Sequence, residues 1–200
     1  MLRRVIVIVF LLLAPLSAAL AQPMVSAADP RAAAAGIEIL KKGGSAADAA
    51  VAMMLALGVI EPGHSGIGGG GFLLFHDAKT GKISSYDARE AAPMAADDRW
   101  FFGPDGKPMG MRQAVPGGRS VGVPGELRLM EKAHAEHGKL AWKTLFDPAI
   151  RLAADGWAIT PRFNNFLTRM PATGFFNDWA KAYLYQPDGT AKALAVPSGW

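Results

Sequence analysis

The residue best placed to do chemistry is Arg89, in Asp87-Ala88-Arg89-Glu90. A guanidinium offers a planar fork of N–H donors that grips a carboxylate through two parallel bonds. Arg89 comes directly after a short strand candidate, so its backbone should be held in place. Asp87 and Glu90 either orient the fork or pair with it. On position alone, a structural ion pair and a substrate clamp both stand.

Other chemistry-bearing residues carry blander readings. His134 and His137 lie three apart on a helical stretch and share a face, but His-Ala-Glu-His is not metalloprotease spacing. They read as solvated surface histidines, with no metal site. His64-Ser65 sits beside glycines, without the Gly-x-Ser-x-Gly elbow a serine nucleophile would want, so Ser65 reads as a loop residue. Asp97-Asp98 reads as solvated charge in a polar loop. With no cysteine, disulfides, thiolate metal sites and a cysteine nucleophile are excluded.

The elements that position Arg89 lie in Pro62–Pro93. Gly66 and Gly68 to Gly71 lead into an apolar run, Phe72 to His76. A dinucleotide fingerprint follows a strand and opens a helix; here the order is reversed. The glycines therefore signal positive φ or close approach of another segment. Ala78-Lys79-Thr80-Gly81 is a turn signal, and Ile83 to Tyr86 is a second strand. Together they predict an antiparallel hairpin buried in the core.

Helices surround this hairpin. Asp29-Pro30 caps a first helix that Gly43-Gly44 ends. Ser45 and Asp48 form a capping pair, read as capping alone, for a helix apolar nearly all round from Ala46 to Gly58. Trp100, Phe101 and Phe102 either anchor an irregular stretch from Ala95 to Val121 in the core or line a pocket, anchoring being the commoner use of such a cluster. Glu126 to His137 is helical, with Leu127, Met130 and Ala133 on its buried face. Asp147-Pro148 and Thr160-Pro161 cap two more helices. Tyr183 to Leu194 predicts another hairpin around Pro187-Asp188-Gly189.

Half the residues are hydrophobic and 19% are charged, which permits a buried core. Lys and Arg number 21 against 17 Asp and Glu. Two of those cations, Arg3 and Arg4, lie in a segment read as a signal peptide, so the balance gives no argument for nucleic acid. That segment, residues 1–21, has a basic start, an apolar run from Val5 to Leu13 and an Ala19-Leu20-Ala21 cleavage site. The run is short for a bilayer span. A periplasmic or secreted protein without a stable membrane span is expected, with residues 22–200 as its body.

Several ordered motifs carry a family resemblance. Ala32 to Ala50, Gly66 to Phe72, Asp87-Ala88-Arg89-Glu90-Ala91-Ala92-Pro93, Val123-Pro124-Gly125 and Leu152 to Trp157 resemble the first part of the large subunit of γ-glutamyltranspeptidases, also called glutathione hydrolases. The likeness runs from about Met24 to Arg169. It implies an α+β fold, an incomplete four-layer αββα sandwich of the N-terminal-nucleophile hydrolase type, with no cofactor. It also implies transfer of the γ-glutamyl group of glutathione to water or an amino acid. In the family a threonine freed by self-cleavage is the nucleophile, and its amine is the base. The arginine matching Arg89 binds the α-carboxylate of the γ-glutamyl group.

The family nucleophile lies in a Thr-Thr-His motif. Here Thr80, Thr144, Thr160, Thr168, Thr173 and Thr190 are isolated. The resemblance therefore implies that no catalytic nucleophile is present, that the C-terminal small-subunit segment is a required partner, and that the 200 residues alone are inactive and incompletely folded. Two alternatives stay open. One is an acylase of the same family acting on glutaryl β-lactams; the other is a non-catalytic exported module binding a small acidic ligand such as L-glutamate, or a partner protein.

Overall fold

A computed structural model describes residues 22–170 and 177–192. The signal-peptide reading and the end of the chain lie outside the described residues.

Helix α1 spans Pro30–Lys41 and α2 spans Ala46–Ile60. Asp29 caps α1 by accepting the Arg31 N–H at 2.8 Å, and Pro30 takes the first helical position. The Arg31 guanidinium, 2.7 Å from the Asp29 carboxylate, holds that carboxyl below its usual range. The capping box of α2 is complete: Ser45 Oγ accepts the Asp48 N–H at 3.1 Å, and Asp48 Oδ2 accepts the Ser45 N–H at 2.9 Å.

α2 joins two halves of the core. Its Ala56 and Ile60 pack with Ala32, Trp157, Phe163 and Leu167. Its Val51, Ala52 and Leu55 pack with Ile39, Met130 and Leu145. A helix apolar all round can serve both sides, as its sequence requires.

Strands β1 (Gly71–His76) and β2 (Ile83–Ala88) pair antiparallel, in a register running from Gly71↔Ala88 to His76↔Ile83. The predicted hairpin is present, but it is not buried on both sides. Phe72, Leu74 and Ile83 are 68%, 75% and 65% exposed. Strand side chains alternate between faces, and the other face lies against helix α4, Glu126–His137.

Other expectations also shift. The Phe75 ring stacks on His137 at 3.7 Å. The Tyr86 hydroxyl bonds both the Glu136 carboxylate and His137 Nε2, the latter at 2.6 Å. The one phenolic proton goes to the carboxylate, so His137 Nε2 donates to the phenolic oxygen. His134 Nε2 lies 2.8 Å from the Leu140 carbonyl, with its ring against Trp142. Both histidines are packed rather than solvated, because their helix face meets the hairpin and the following turn. Leu129, not Leu127, joins Met130 and Ala133 in the buried set; Leu127 is exposed.

Downstream lie α3 (Met111–Ala114), α5 (Asp147–Asp155), α6 (Pro161–Arg169) and α7 (Asp178–Leu184). Trp100 anchors the irregular stretch by donating its ring N–H to the Arg119 carbonyl at 2.8 Å. Thr160 caps α6 as expected. Asp147 does not cap α5: a 3-10 turn at Trp142–Phe146 runs straight into the helix, so Asp147 is already inside it. Of the expected C-terminal hairpin, Tyr183 to Leu194, the described residues show one bridge, Tyr185↔Ala191, with Tyr183 and Leu184 in helix α7; its last two residues lie outside the described ones.

Asp48 does more than cap. It is fully buried, and its Oδ2 also accepts the Lys139 and Leu140 N–H groups at 2.9 and 3.2 Å. One carboxylate thus ties the start of α2 to the loop after α4. Asp48→Ala strands these buried donors and is expected to cost on the order of 3 kcal/mol, measured by urea unfolding. A cost below about 1 kcal/mol, as for loss of a cap alone, would refute the clamp.

Candidate functional site

Arg89 leaves β2 at the last strand pair, and its own backbone is pinned on both sides. The Arg89 N–H donates to Asp87 Oδ1 at 3.0 Å. Two residues on, Ala91 and Val123 exchange backbone bonds at 2.8 and 3.3 Å. The stretch Arg89-Glu90 is therefore strung between a strand ladder and a bridge. Both acidic neighbours act, in different ways. Asp87 fixes the Arg89 backbone, and Glu90 Oε2 sits 3.1 Å from Arg89 Nη1.

Gly70 and Gly125 work by close approach. None from Gly66 to Gly71 has positive φ. A Cβ on Gly70 would collide with the Ala88 carbonyl oxygen, and one on Gly125 would meet the same atom. The Gly69 carbonyl accepts two bonds at 3.0 Å, from the Gly125 and Glu126 N–H groups at the start of α4. The glycine loop, the end of β2 and the first turn of α4 meet backbone to backbone. Side chains at these positions would push the three segments apart.

Their meeting leaves an open cleft of about 420 Å³, lined by Pro62 to Ser65, the glycine loop, Arg89, Glu90 and Glu126. The Arg89 side chain is 61% exposed and borders the cleft. His64 reaches the rim, with Nδ1 3.3 Å from Glu61 Oε2 and its ring edge against Phe166. Ser65 belongs to the loop, its N–H bonded to the Glu61 carbonyl at 3.0 Å. Asp97 accepts the Arg99 N–H in an exposed turn, away from the cleft lining.

Sequence reasoning passed over Glu126. It is 6% exposed. Burial first, and the Glu90 charge second, push its carboxyl above the usual range. A Gly-Glu pair opening a helix was the available signal. Only packing shows that the glutamate turns into the cleft.

The family profile described as gamma-glutamyltranspeptidase matches residues 32–194. The chain belongs to the γ-glutamyltranspeptidase family. It is 45% identical over 136 residues to the glutathione hydrolase proenzyme of Bacillus subtilis (strain 168), covering 68% of this chain and 23% of that protein. It is 48% identical over 127 residues to scoloptoxin SSD14 of Scolopendra dehaani, covering 64% of this chain and 21% of the other. The crystal structure of Helicobacter pylori γ-glutamyltranspeptidase superposes with a TM-score of 0.76 at 33% identity, covering 84% of this chain and 48% of that one. The chain thus spans about a fifth of the length of these curated relatives and about half of that solved chain. The mixed helix-and-sheet architecture agrees with the α+β expectation.

Two outcomes test this geometry. Gly125→Ala is expected to destabilise by about 1–3 kcal/mol through overpacking, while Gly66→Ala, with nothing within 4 Å of the added atom, should stay within about 0.5 kcal/mol. Equal effects in thermal unfolding would sink the close-approach account. The second concerns pH. A carboxyl whose folded pKa is raised binds more protons folded than unfolded, so its ionisation weakens the fold as pH rises through that window. Relative to Glu126→Gln, the native protein should lose thermal stability between the usual glutamate range and neutral pH, and match the variant at lower pH.

Proposed function

We propose that residues 22–200 are the N-terminal part of an exported γ-glutamyltransferase, following a signal peptide at 1–21. In this reading Arg89 holds the α-carboxylate of the γ-glutamyl donor, glutathione being the donor type. The observation that carries it is an arginine with a pinned backbone, its guanidinium paired with Glu90 and exposed beside the cleft, in a chain of this family. Glu90 occupies one side of the fork, and the exposed side is open to a ligand carboxylate. Fixing that carboxylate sets where the γ-carbonyl sits, and positioning of this kind is a large part of acyl-transfer catalysis.

The nucleophile belongs to polypeptide outside these 200 residues. The hydroxyls of Thr80, Thr160, Thr168 and Thr190 bond Asp77, Glu61, Asn165 and Asp188 in turns and caps. In the proposed reaction a threonine hydroxyl attacks the γ-amide carbon. Its proton passes by way of the threonine amine to the departing amine, and an ester remains. Water or an amino acid then takes the γ-glutamyl group from that ester.

The small-subunit segment is the proposed partner, and the exposed apolar face of the hairpin supports this. Phe72, Leu74 and Ile83 form a sheet face without a covering layer among the described residues, as expected where a second sheet of an αββα sandwich would pack. Among the described residues no helix is long and apolar enough to cross a membrane.

The purified 200-residue chain is expected to show no turnover of a γ-glutamyl anilide; measurable release of the aniline would refute the assignment of the nucleophile elsewhere. L-Glutamate binding measured by calorimetry should fall at least about tenfold in Arg89→Ala, the scale of one charge-assisted bond. Unchanged affinity would remove Arg89 from the site.

A further inference from the structure

Part of the Arg89 cleft is walled by Pro62 to Ser65. This wall is a turn between α2 and the glycine loop, with no helix or strand of its own. Its backbone closes on itself, the Glu61 carbonyl accepting the His64 and Ser65 N–H groups at 2.9 and 3.0 Å. Further contacts run to α6. A Cβ on Gly63 would lie 2.7 Å from the Phe166 ring, so the turn rests on that ring. The His64 ring meets Phe166 edge-on, with 5.0 Å between centroids.

The Glu61 side chain ties turn and helix together. Glu61 closes α2 and is 2% exposed. Its Oε2 lies 3.3 Å from His64 Nδ1 and 3.7 Å from Arg162 Nε, and its Oε1 lies 3.5 Å from the Thr160 hydroxyl. Thr160 and Arg162 stand at the start of α6, whose Phe163 and Leu167 belong to the core. No well-aligned hydrogen bond reaches Oε2, so its two nitrogen neighbours are what offsets its burial.

A buried carboxyl group is costly when its partners leave. If the turn lifts from α6, His64 goes with it and Glu61 loses a neighbour. That cost opposes the local opening to which a short surface turn is otherwise prone. We infer that Glu61 is a positioning residue for the Arg89 cleft: acting through His64, it holds the Pro62 to Ser65 wall against α6 and so fixes the shape of the space a ligand enters. Glu61 is not itself among the residues lining the cleft. The choice of L-glutamate as probe rests on the carboxylate role proposed for Arg89; the hold on the wall rests on the contacts alone.

Two measurements on the full 200-residue chain test this. Hydrogen exchange followed by mass spectrometry reports the segment from Glu61 to Gly70, and calorimetry reports L-glutamate binding. The variants are Glu61→Gln, His64→Gln, the two combined, Arg89→Ala, and Asp48→Ala as a destabilised control away from the cleft. Glu61→Gln and His64→Gln are each expected to speed exchange of the segment at least about tenfold and to weaken L-glutamate about threefold to tenfold. Because Glu61 acts through His64, the combined variant should bind no more weakly than the weaker single one. Asp48→Ala should lower thermal stability and leave both local readouts unchanged.

Unchanged exchange of the segment in both single variants would overturn the inference, whether or not L-glutamate binds. Faster exchange with unchanged affinity would overturn the positioning role, as would additive losses in the combined variant or equal losses in Asp48→Ala. L-Glutamate binding that ignores Arg89→Ala, or no binding to the native chain, would overturn the clamp instead, and the exchange result would then decide whether Glu61 holds the wall.

Discussion

One carbonyl, that of Gly69, accepts the Gly125 and Glu126 N–H groups, and the region around Arg89 depends on it. The bond pair ties the glycine loop to the first turn of α4. Gly70 and Gly125 meanwhile press on the Ala88 carbonyl, where β2 ends. Backbone packed on backbone leaves no side-chain freedom at the junction. The residues leaving it, Arg89 and Glu90, start from a fixed place. An exposed guanidinium on a long flexible side chain is a poor clamp unless its base is rigid. Here the rigidity is local and made mostly of glycine.

The core serves this junction from a distance. α2, apolar on every side, packs with α1 and α5 and touches α4. Asp48 fixes the loop at the far end of α4, and the stacked Phe75–His137 pair and the Tyr86 hydroxyl fix its outer face to the hairpin. α4 is thus held at both ends and along one side. Its first residue, Glu126, is held by its own N–H bond to the Gly69 carbonyl. Guanidinium and buried carboxyl group come from elements 37 residues apart in sequence and meet in one cleft.

The apolar side of the hairpin left open is consistent with a chain that covers only part of its relatives. Phe72, Leu74 and Ile83 carry the alternation of a strand with two faces to bury. Only one of those faces finds its cover among the described residues. A run such as Phe-Leu-Leu-Phe reads as fully buried because composition does not say which layer arrives from which part of the chain.

What the sequence determined by itself was local. Caps at Asp29, Ser45 and Thr160, the hairpin, the place of Arg89 at its end and the family motifs follow from residue type and short spacing, and short-range hydrogen bonds enforce them. Where locality failed, the competing force was tertiary. The two histidines of α4 left water because a strand and a turn packed on them. Asp147 lost its cap to the 3-10 turn before it, and Leu127 gave its buried place to Leu129. Only the folded chain decided that Gly70 and Gly125 act by contact rather than by positive φ, that Asp48 holds a loop 91 residues away, and that Glu126 and Arg89 line one cleft. Those are meetings between distant segments, and no spacing along the chain encodes the direction from which a neighbour will come.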